Sequence, residues 1–276
     1  MKKILTFFVI ALLISGCSPT PEIWGGTQPP PPVGQNYPVA QTALVIGNSA
    51  YKYQQLKNPI NDARAVAKTL ERLGFDVTLK TDLNLQAMRG AIHDFKSRLS
   101  ASSLDDVGIF YFSGHGAQVK GQNYLLPTDN GGISSSADLK KYAVHADKEI
   151  FGMMKVANAG MNIITLDACR DNPYANSIKS LTRGLAQMPP PTKKRGSLLV
   201  AYATAPGQTA SDAGPGNHGV YTYYLLDVLN NVQSTTRIDK AFGKVRDLVK
   251  QKTKQEPWLQ TSLKQFCYFG GKCSQP

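Results

Sequence analysis

Two short motifs, each directly after a run of apolar residues, contain the residue types of a nucleophilic hydrolase. The first places His115 within Ser-Gly-His-Gly, and the second places Cys169 within Asp-Ala-Cys-Arg. The preceding runs, 107–112 and 163–166, are rich in β-branched and aromatic residues and predict buried parallel strands. Because neighbouring strands of an open α/β sheet deliver their terminal loops to one edge, we expect a general base and a thiol to meet there.

The pairing matters because a cysteine thiol, with a pKa of about 8.5, needs a base to raise its thiolate fraction. His115 is the natural base for Cys169. Gly116 leaves its backbone N–H approachable, so together with the Cys169 amide it could form an oxyanion hole. No further side chain is evident to orient His115, so the sequence predicts a dyad. Taken alone, a cysteine such as Cys169 is more often a small buried apolar residue than a nucleophile.

The elements that position these motifs alternate between strands and helices. The predicted strands are 43–46, 75–79, 107–112, 163–166 and 197–203, with a short hairpin around 123–126. The predicted helices are one that begins at Asn58-Pro59 and others near 85–99, 148–159, 221–228 and 238–249. The stretch 172–196 shows no strand pattern and predicts an exposed loop. This order predicts an α/β fold with a mainly parallel sheet.

Five motifs together resemble those of the caspase-like peptidases, closest to the prokaryotic branch near metacaspases and paracaspases. They lie at 43–48, 61–63, 112–116, 167–170 and 202–207, and the resemblance spans about residues 41–250. The interval of 54 positions from His115 to Cys169 is similar to that of caspases. The resemblance implies a caspase-hemoglobinase-like αβα sandwich, a His115/Cys169 dyad and cysteine endopeptidase activity.

The same resemblance implies a substrate preference. Caspases carry Gln two places before the cysteine, whereas this chain has Asp167, which in metacaspase-like relatives lines the pocket together with a residue matching Asp62. Two carboxylates favour Arg or Lys before the scissile bond, so the expected partner is a protein or peptide with such a residue. The basic loop 172–196 could then be a self-cleavage segment. Alternatively, Asp62 could oppose a helix dipole and Asp167 could bond a backbone N–H.

The N-terminus predicts export. Two lysines, an apolar run over 4–14 and Ser15-Gly16-Cys17 indicate a signal peptide over 1–16, and the run is too short to span a bilayer. The stretch resembles a bacterial lipobox, which implies that Cys17 is lipidated; an ordinary signal with a chance cysteine is the alternative. Residues 17–40 predict a tether, since 18–38 hold seven prolines and three glycines. Ser18 resembles the outer-membrane sorting pattern, which predicts a lipid-anchored envelope protein that faces the periplasm if the cell has an outer membrane.

The remaining cysteines lie near the C-terminus. The predicted domain covers 41–255, and a tail over 256–276 contains Cys267 and Cys273. In an oxidising compartment these two could close a small loop through a disulfide, and two unpaired thiols are the alternative.

Charge and spacing exclude several other functions. The net charge of +12 is spread along the chain without a basic module interleaved with aromatic residues, so we expect no nucleic-acid binding and favour attraction to anionic lipid. We expect no zinc site, because the sequence contains no CxxC or HExxH motif. We assign no cofactor. Calcium binding is the alternative that the sequence leaves open, because it contains scattered acidic residues that could act as ligands, namely Asp129, Asp138, Asp147 and Glu149. The remaining histidines, His93, His145 and His218, fit no second motif and are interpreted as structural or exposed.

The sequence thus predicts an extracytoplasmic, membrane-anchored cysteine endopeptidase that cleaves after Arg or Lys. An inactive or latent caspase-like domain that serves as a binding module in an envelope assembly is the alternative. Intact His115 and Cys169 favour the enzyme.

Overall fold

A computed structural model describes residues 40–168, 174, 181–182, 184–190, 195–211 and 214–275. The predicted signal peptide, Cys17 and the tether up to residue 39 lie outside the described residues, as does Cys169. Most of the basic residues of the predicted loop also lie outside them, namely Lys179, Arg183, Lys193 and Lys194. The predictions made for these positions therefore remain predictions.

The strands and helices alternate from the first strand to residue 113, and a hairpin of two short strands follows. The strands are β1 (Gln41–Gly47), β2 (Asp76–Thr81), β3 (Val107–Ser113), β4 (Gly116–Val119), β5 (Gln122–Leu125), β6 (Val144–His145), β7 (Met161–Asp167), β8 (Leu181–Thr182), β9 (Ser197–Tyr202), β10 (Trp258–Ser262), β11 (Phe266–Cys267) and β12 (Cys273–Ser274). The helices are α1 (Pro59–Arg72), α2 (Leu85–Ser100), α3 (Ser136–Tyr142), α4 (Gly152–Val156), α5 (Val220–Asn230) and α6 (Ile238–Lys252). A π-helical segment, Ala146–Phe151, precedes α4.

The main sheet has six strands in the order β10-β9-β7-β3-β1-β2. All neighbouring pairs are parallel except β10 with β9. The inner strands β1, β3, β7 and β9 are buried along their whole length, which is why their sequences are continuous apolar runs. The chain leaves β1 toward β2 and returns past it to β3, so right-handed crossovers place α1 and α2 on opposite faces. The expected αβα arrangement around a mainly parallel sheet is confirmed.

A smaller antiparallel sheet follows His115 directly. Its order is β6-β5-β4-β8, and the hairpin of β4 and β5 turns at 120–121, so it overlaps the hairpin predicted around 123–126 but begins earlier in the chain. A second apolar cluster beneath it includes Tyr51, Tyr124 and Tyr174. This sheet thus begins at Gly116, directly after His115, and only Gly114 and His115 separate it from the end of β3.

Three segments differ from the predicted elements. The stretch 172–196, predicted to lack strands, contains β8, which pairs with β4. The predicted helix 148–159 is instead a π-helical segment followed by α4, and α3 was not predicted. The main sheet also continues past the predicted boundary at residue 255, because β10 forms its edge.

The C-terminal segment packs against the domain. Cys267 and Cys273 form a disulfide that joins β11 to β12. The side-chain amide of Gln41 donates to the carbonyl of Phe269 at 3.2 Å, so this loop contacts the start of β1. Within the part of the chain that the structure describes, no helix is long and apolar enough to cross a membrane.

Candidate active site

The histidine motif and the segment leading to the cysteine lie side by side. Ser113 at the end of β3 pairs in register with Asp167 at the end of β7, and the Gly114 N–H donates to the Asp167 carbonyl at 3.3 Å. A Cβ atom on Gly116 would lie 3.4 Å from both Cβ and O of Ala168, the residue immediately before Cys169. The expected meeting of the two motifs at one sheet edge therefore holds as far as Ala168.

His115 is buried and fixed from several sides. Only 2% of the residue is exposed. Its backbone N–H donates to the Tyr51 hydroxyl at 2.8 Å, and its carbonyl accepts from the Leu126 N–H at 3.0 Å. The Tyr51 ring packs against the imidazole with centroids 4.5 Å apart. The imidazole Nε2 lies 2.6 Å from the Gln54 carbonyl oxygen.

The contact with Gln54 sets the tautomer of His115. A carbonyl oxygen can only accept, so Nε2 must carry the proton, and Nδ1 of the neutral ring then holds the lone pair. A nitrogen with a lone pair is what a general base requires. The predicted dyad thus has an orienting third group. Gln54 was not predicted from the sequence, because any residue type can supply a backbone carbonyl.

The loop that holds Gln54 is braced by one buried side chain. Asn130 accepts from the Tyr53 N–H at 3.0 Å and donates to the Tyr53 carbonyl at 3.1 Å. The Asn130 carbonyl accepts from the Tyr174 hydroxyl at 2.8 Å, and the rings of Tyr53 and Tyr174 stack at 5.6 Å. Asn130 therefore connects the loop that orients His115 with the chain that follows the cysteine motif.

Asp62 lies in the first turn of α1 and is fully buried. Its carboxylate accepts from the Ser113 hydroxyl at 3.1 Å, from the Gly219 N–H at 3.1 Å and from His218 Nδ1 at 2.9 Å. Gly219 directly precedes α5, whose N-terminal end favours negative charge. His218 was predicted to be structural or exposed, and the structure shows it partly exposed and in contact with the carboxylate predicted to bind substrate.

Asp167 is also fully buried. Its carboxylate accepts from the Thr222 hydroxyl at 2.6 Å, so that hydroxyl in turn accepts from the Tyr111 hydroxyl at 2.6 Å. Burial raises the pKa of Tyr111 well above its usual value, and the charges of Asp62 and Asp167 raise it further. Tyr111 therefore stays protonated. Both predicted pocket carboxylates receive donors from the first residues of α5 and the loop before it.

The four acidic candidates for calcium serve separate local structures. Asp129 accepts from the first N–H of α2, Asp138 accepts from Ser134 and Ser135 before α3, Asp147 accepts from the Asn123 N–H, and Glu149 pairs with Arg89. Among the described residues, no three His, Cys, Asp or Glu side chains group as metal ligands would.

Two curated proteins are similar to this chain in sequence. The human mucosa-associated lymphoid tissue lymphoma translocation protein 1 is 27% identical over 229 residues, which are 81% of this chain and 26% of that protein. Its mouse homologue is 27% identical over 213 residues, which are 75% of this chain and 24% of that protein. The chain thus spans about a quarter of the length of these curated relatives.

A solved structure and two family models complete the comparison. Protein GSU0716 from Geobacter sulfurreducens shares the fold with a TM-score of 0.59 at 16% identity, over 81% of this chain and 93% of that chain. The model of the prokaryotic membrane lipoprotein lipid attachment site matches residues 1–18. The model of the caspase domain matches residues 40–268. The chain therefore belongs to the caspase domain family and carries a lipoprotein attachment site at its N-terminus.

Proposed function

We propose that this chain is a lipid-anchored cysteine endopeptidase in which His115 activates Cys169. The observation that carries the proposal is the contact of His115 Nε2 with the Gln54 carbonyl, which leaves Nδ1 as the basic nitrogen. His115 follows the strand that neighbours β7, and β7 leads through Ala168 to Cys169.

The reaction follows from these roles. His115 takes the thiol proton of Cys169, and the sulfur attacks the carbonyl carbon of the substrate. The backbone N–H groups of Gly116 and Cys169 stabilise the oxyanion. The C–N bond then breaks as His115 returns the proton to the leaving amine, and a water molecule deprotonated by His115 hydrolyses the acyl-enzyme. Glycine suits position 116, because a Cβ there would lie 3.0 Å from the Leu185 side chain.

Asp62 and Asp167 are proposed to select Arg or Lys before the scissile bond. Both carboxylates are buried near the edge of the sheet that carries His115, and both act on the pKa of Tyr111. Donors from the start of α5 keep their oxygens ordered. A guanidinium can bond two carboxylates at once, which favours Arg over Lys.

The same proposal places the enzyme in the cell envelope, on the outer membrane facing the periplasm where one exists. The lipid attachment site at residues 1–18 supports a lipid anchor at Cys17, and the proline-rich segment after it supports a tether. The Cys267–Cys273 disulfide suits an oxidising compartment.

The test is hydrolysis of fluorogenic peptides that differ only in Arg, Lys or Asp before the scissile bond. The full chain in detergent is assayed with calcium present and absent, beside Cys169→Ala and His115→Ala. We expect cleavage after Arg and Lys that both substitutions abolish. Cleavage that survives Cys169→Ala would contradict the mechanism. No cleavage under any condition, including after nicking within 172–196, would favour the binding module instead.

A further inference from the structure

His218 is a histidine outside the catalytic pair that touches the proposed cation pocket. Its Nδ1 lies 2.9 Å from Asp62 Oδ1. The Asp62 side chain is fully buried, whereas 20% of the His218 side chain is exposed. His218 thus joins a partly exposed imidazole to a carboxylate that has no exposed surface.

The loop before α5 is built to present this imidazole. The Gly214 N–H donates to the His218 carbonyl at 3.0 Å, and the His218 N–H donates to the Pro215 carbonyl at 3.3 Å. Gly216 and Asn217 adopt left-handed backbone angles, with φ of 66° and 59°. The next residue, Gly219, donates its own N–H to Asp62. Two consecutive residues therefore hold the same carboxylate.

The contact also fixes the acid–base chemistry of His218. A carboxylate accepts, so Nδ1 carries the proton and Nε2 of the neutral ring is the nitrogen that solvent can protonate. A proton on Nε2 creates an imidazolium against Asp62 and cancels its charge. Among the described residues, the charged and titratable groups linked to this pair are Tyr111 from β3, whose pKa the charge of Asp62 raises, and Asp167 from β7, which is joined to Tyr111 through Thr222.

We propose that His218 is a specificity-determining positioning residue of the cation pocket. When neutral, it orders Asp62 as an acceptor for the substrate guanidinium or ammonium. When protonated, it supplies the cation itself and competes with the substrate. The inference rests on the proposed function, because it takes Asp62 as part of the pocket for the basic residue.

The quantity that tests this proposal is the ratio of the kcat/KM values of two substrates. Peptides with Arg or with citrulline, its neutral isostere, before the scissile bond share the same catalytic groups. The ratio of their kcat/KM values therefore cancels the titration of His115 and Cys169 and leaves that of the pocket. For the full chain in detergent we expect this ratio to fall about tenfold from about pH 8 to pH 5, the interval in which an imidazole side chain can change its charge.

Two substitutions of His218 separate its roles. In His218→Asn the amide can still donate to Asp62 but cannot be protonated, so the ratio should stay high and constant with pH. In His218→Ala the donor is lost, so the ratio should be low at every pH, and Asn should restore it. His93→Asn, an exposed position on α2, is the matched control and should keep the wild-type profile.

Each outcome decides between the two proposals. A ratio that falls in His218→Asn in parallel with the wild type overturns the inference about His218. A wild type that prefers Arg equally at both ends of the pH range overturns that inference alone and leaves the pocket standing. Binding of agmatine to the Cys169→Ala chain is measured over the same range and needs no turnover. No agmatine binding at any pH would overturn both the pocket and the role of His218.

Discussion

Replacing Tyr51 by Phe tests the buried contact that fixes the His115 backbone. The Tyr51 hydroxyl accepts from the His115 N–H at 2.8 Å and donates to the Leu126 carbonyl at 3.3 Å, and only 1% of Tyr51 is exposed. Tyr51→Phe keeps the ring that packs on the imidazole but removes both hydrogen bonds. A buried polar group that loses its partner costs about 1–3 kcal/mol. We expect the free energy of unfolding to fall by this amount.

The loss is measured by urea denaturation of the full chain and by its melting temperature. For a domain of this size, each kcal/mol lowers Tm by roughly 2–4 °C. Because the imidazole is displaced while the pocket is not, kcat should fall more than KM rises. The matched control is Tyr53→Phe; Tyr53 is 44% exposed, so this substitution should change stability by no more than about 0.5 kcal/mol. Equal unfolding curves for the two variants would refute the reasoning.

Three further predictions concern the site. Gln54→Gly should keep the activity, because only the backbone carbonyl of this residue contacts His115. Gln54→Pro should lose on the order of 100-fold in kcat/KM, since proline cannot adopt the φ of 58° found there. Equal kcat/KM values for the Gly and Pro variants would contradict the role of this carbonyl. Thr222→Val removes the hydroxyl that donates to Asp167, so it should cost about 1.5–3 kcal/mol of stability and raise KM for Arg peptides. Thr222→Ser keeps the hydroxyl and should do neither. Val and Ser variants with the same urea unfolding curve and the same KM would count against the bond to Asp167. Burial raises the pKa of Tyr111 and Tyr221, so the unfolded chain releases their protons above about pH 10 while the folded chain keeps them. Stability should therefore fall as pH rises past that point, and Tyr111→Phe should reduce the slope by up to about 1.4 kcal/mol per pH unit; an unchanged slope in urea unfolding at alkaline pH would argue against a buried, protonated Tyr111.

The inner strands were predictable because they are buried on both faces. β1, β3 and β7 are continuous apolar runs, and their order along the chain with α1 and α2 fixes a parallel sheet. β10 was not predictable, since it is an edge strand with an exposed Trp258 and no apolar run. α3 is a short polar helix whose main signal is the cap at Ser135, which accepts from the Asp138 N–H.

In the candidate site, some side chains were predictable from the sequence, whereas the backbone group was not. His115, Asp62 and Asp167 are recognisable as side chains at the ends of predicted elements, and the structure gathers them near one sheet edge. The Gln54 carbonyl is a backbone group that any residue could supply. His218 belongs to a loop far along the chain, and only tertiary packing brings it to Asp62.

Separate segments hold the proposed general base and the two carboxylates of the proposed cation pocket. His115 is oriented by Tyr51 and Gln54, whereas both carboxylates take donors from residues 218–222. The two motifs themselves meet where the Gly114 N–H donates to the Asp167 carbonyl, and the Ser113 hydroxyl also donates to Asp62. On the proposed function, substitutions within one short stretch of five residues can change which side chain is accepted while the bond-breaking apparatus is left intact. In this architecture, substrate preference can therefore change during evolution without loss of the catalytic groups.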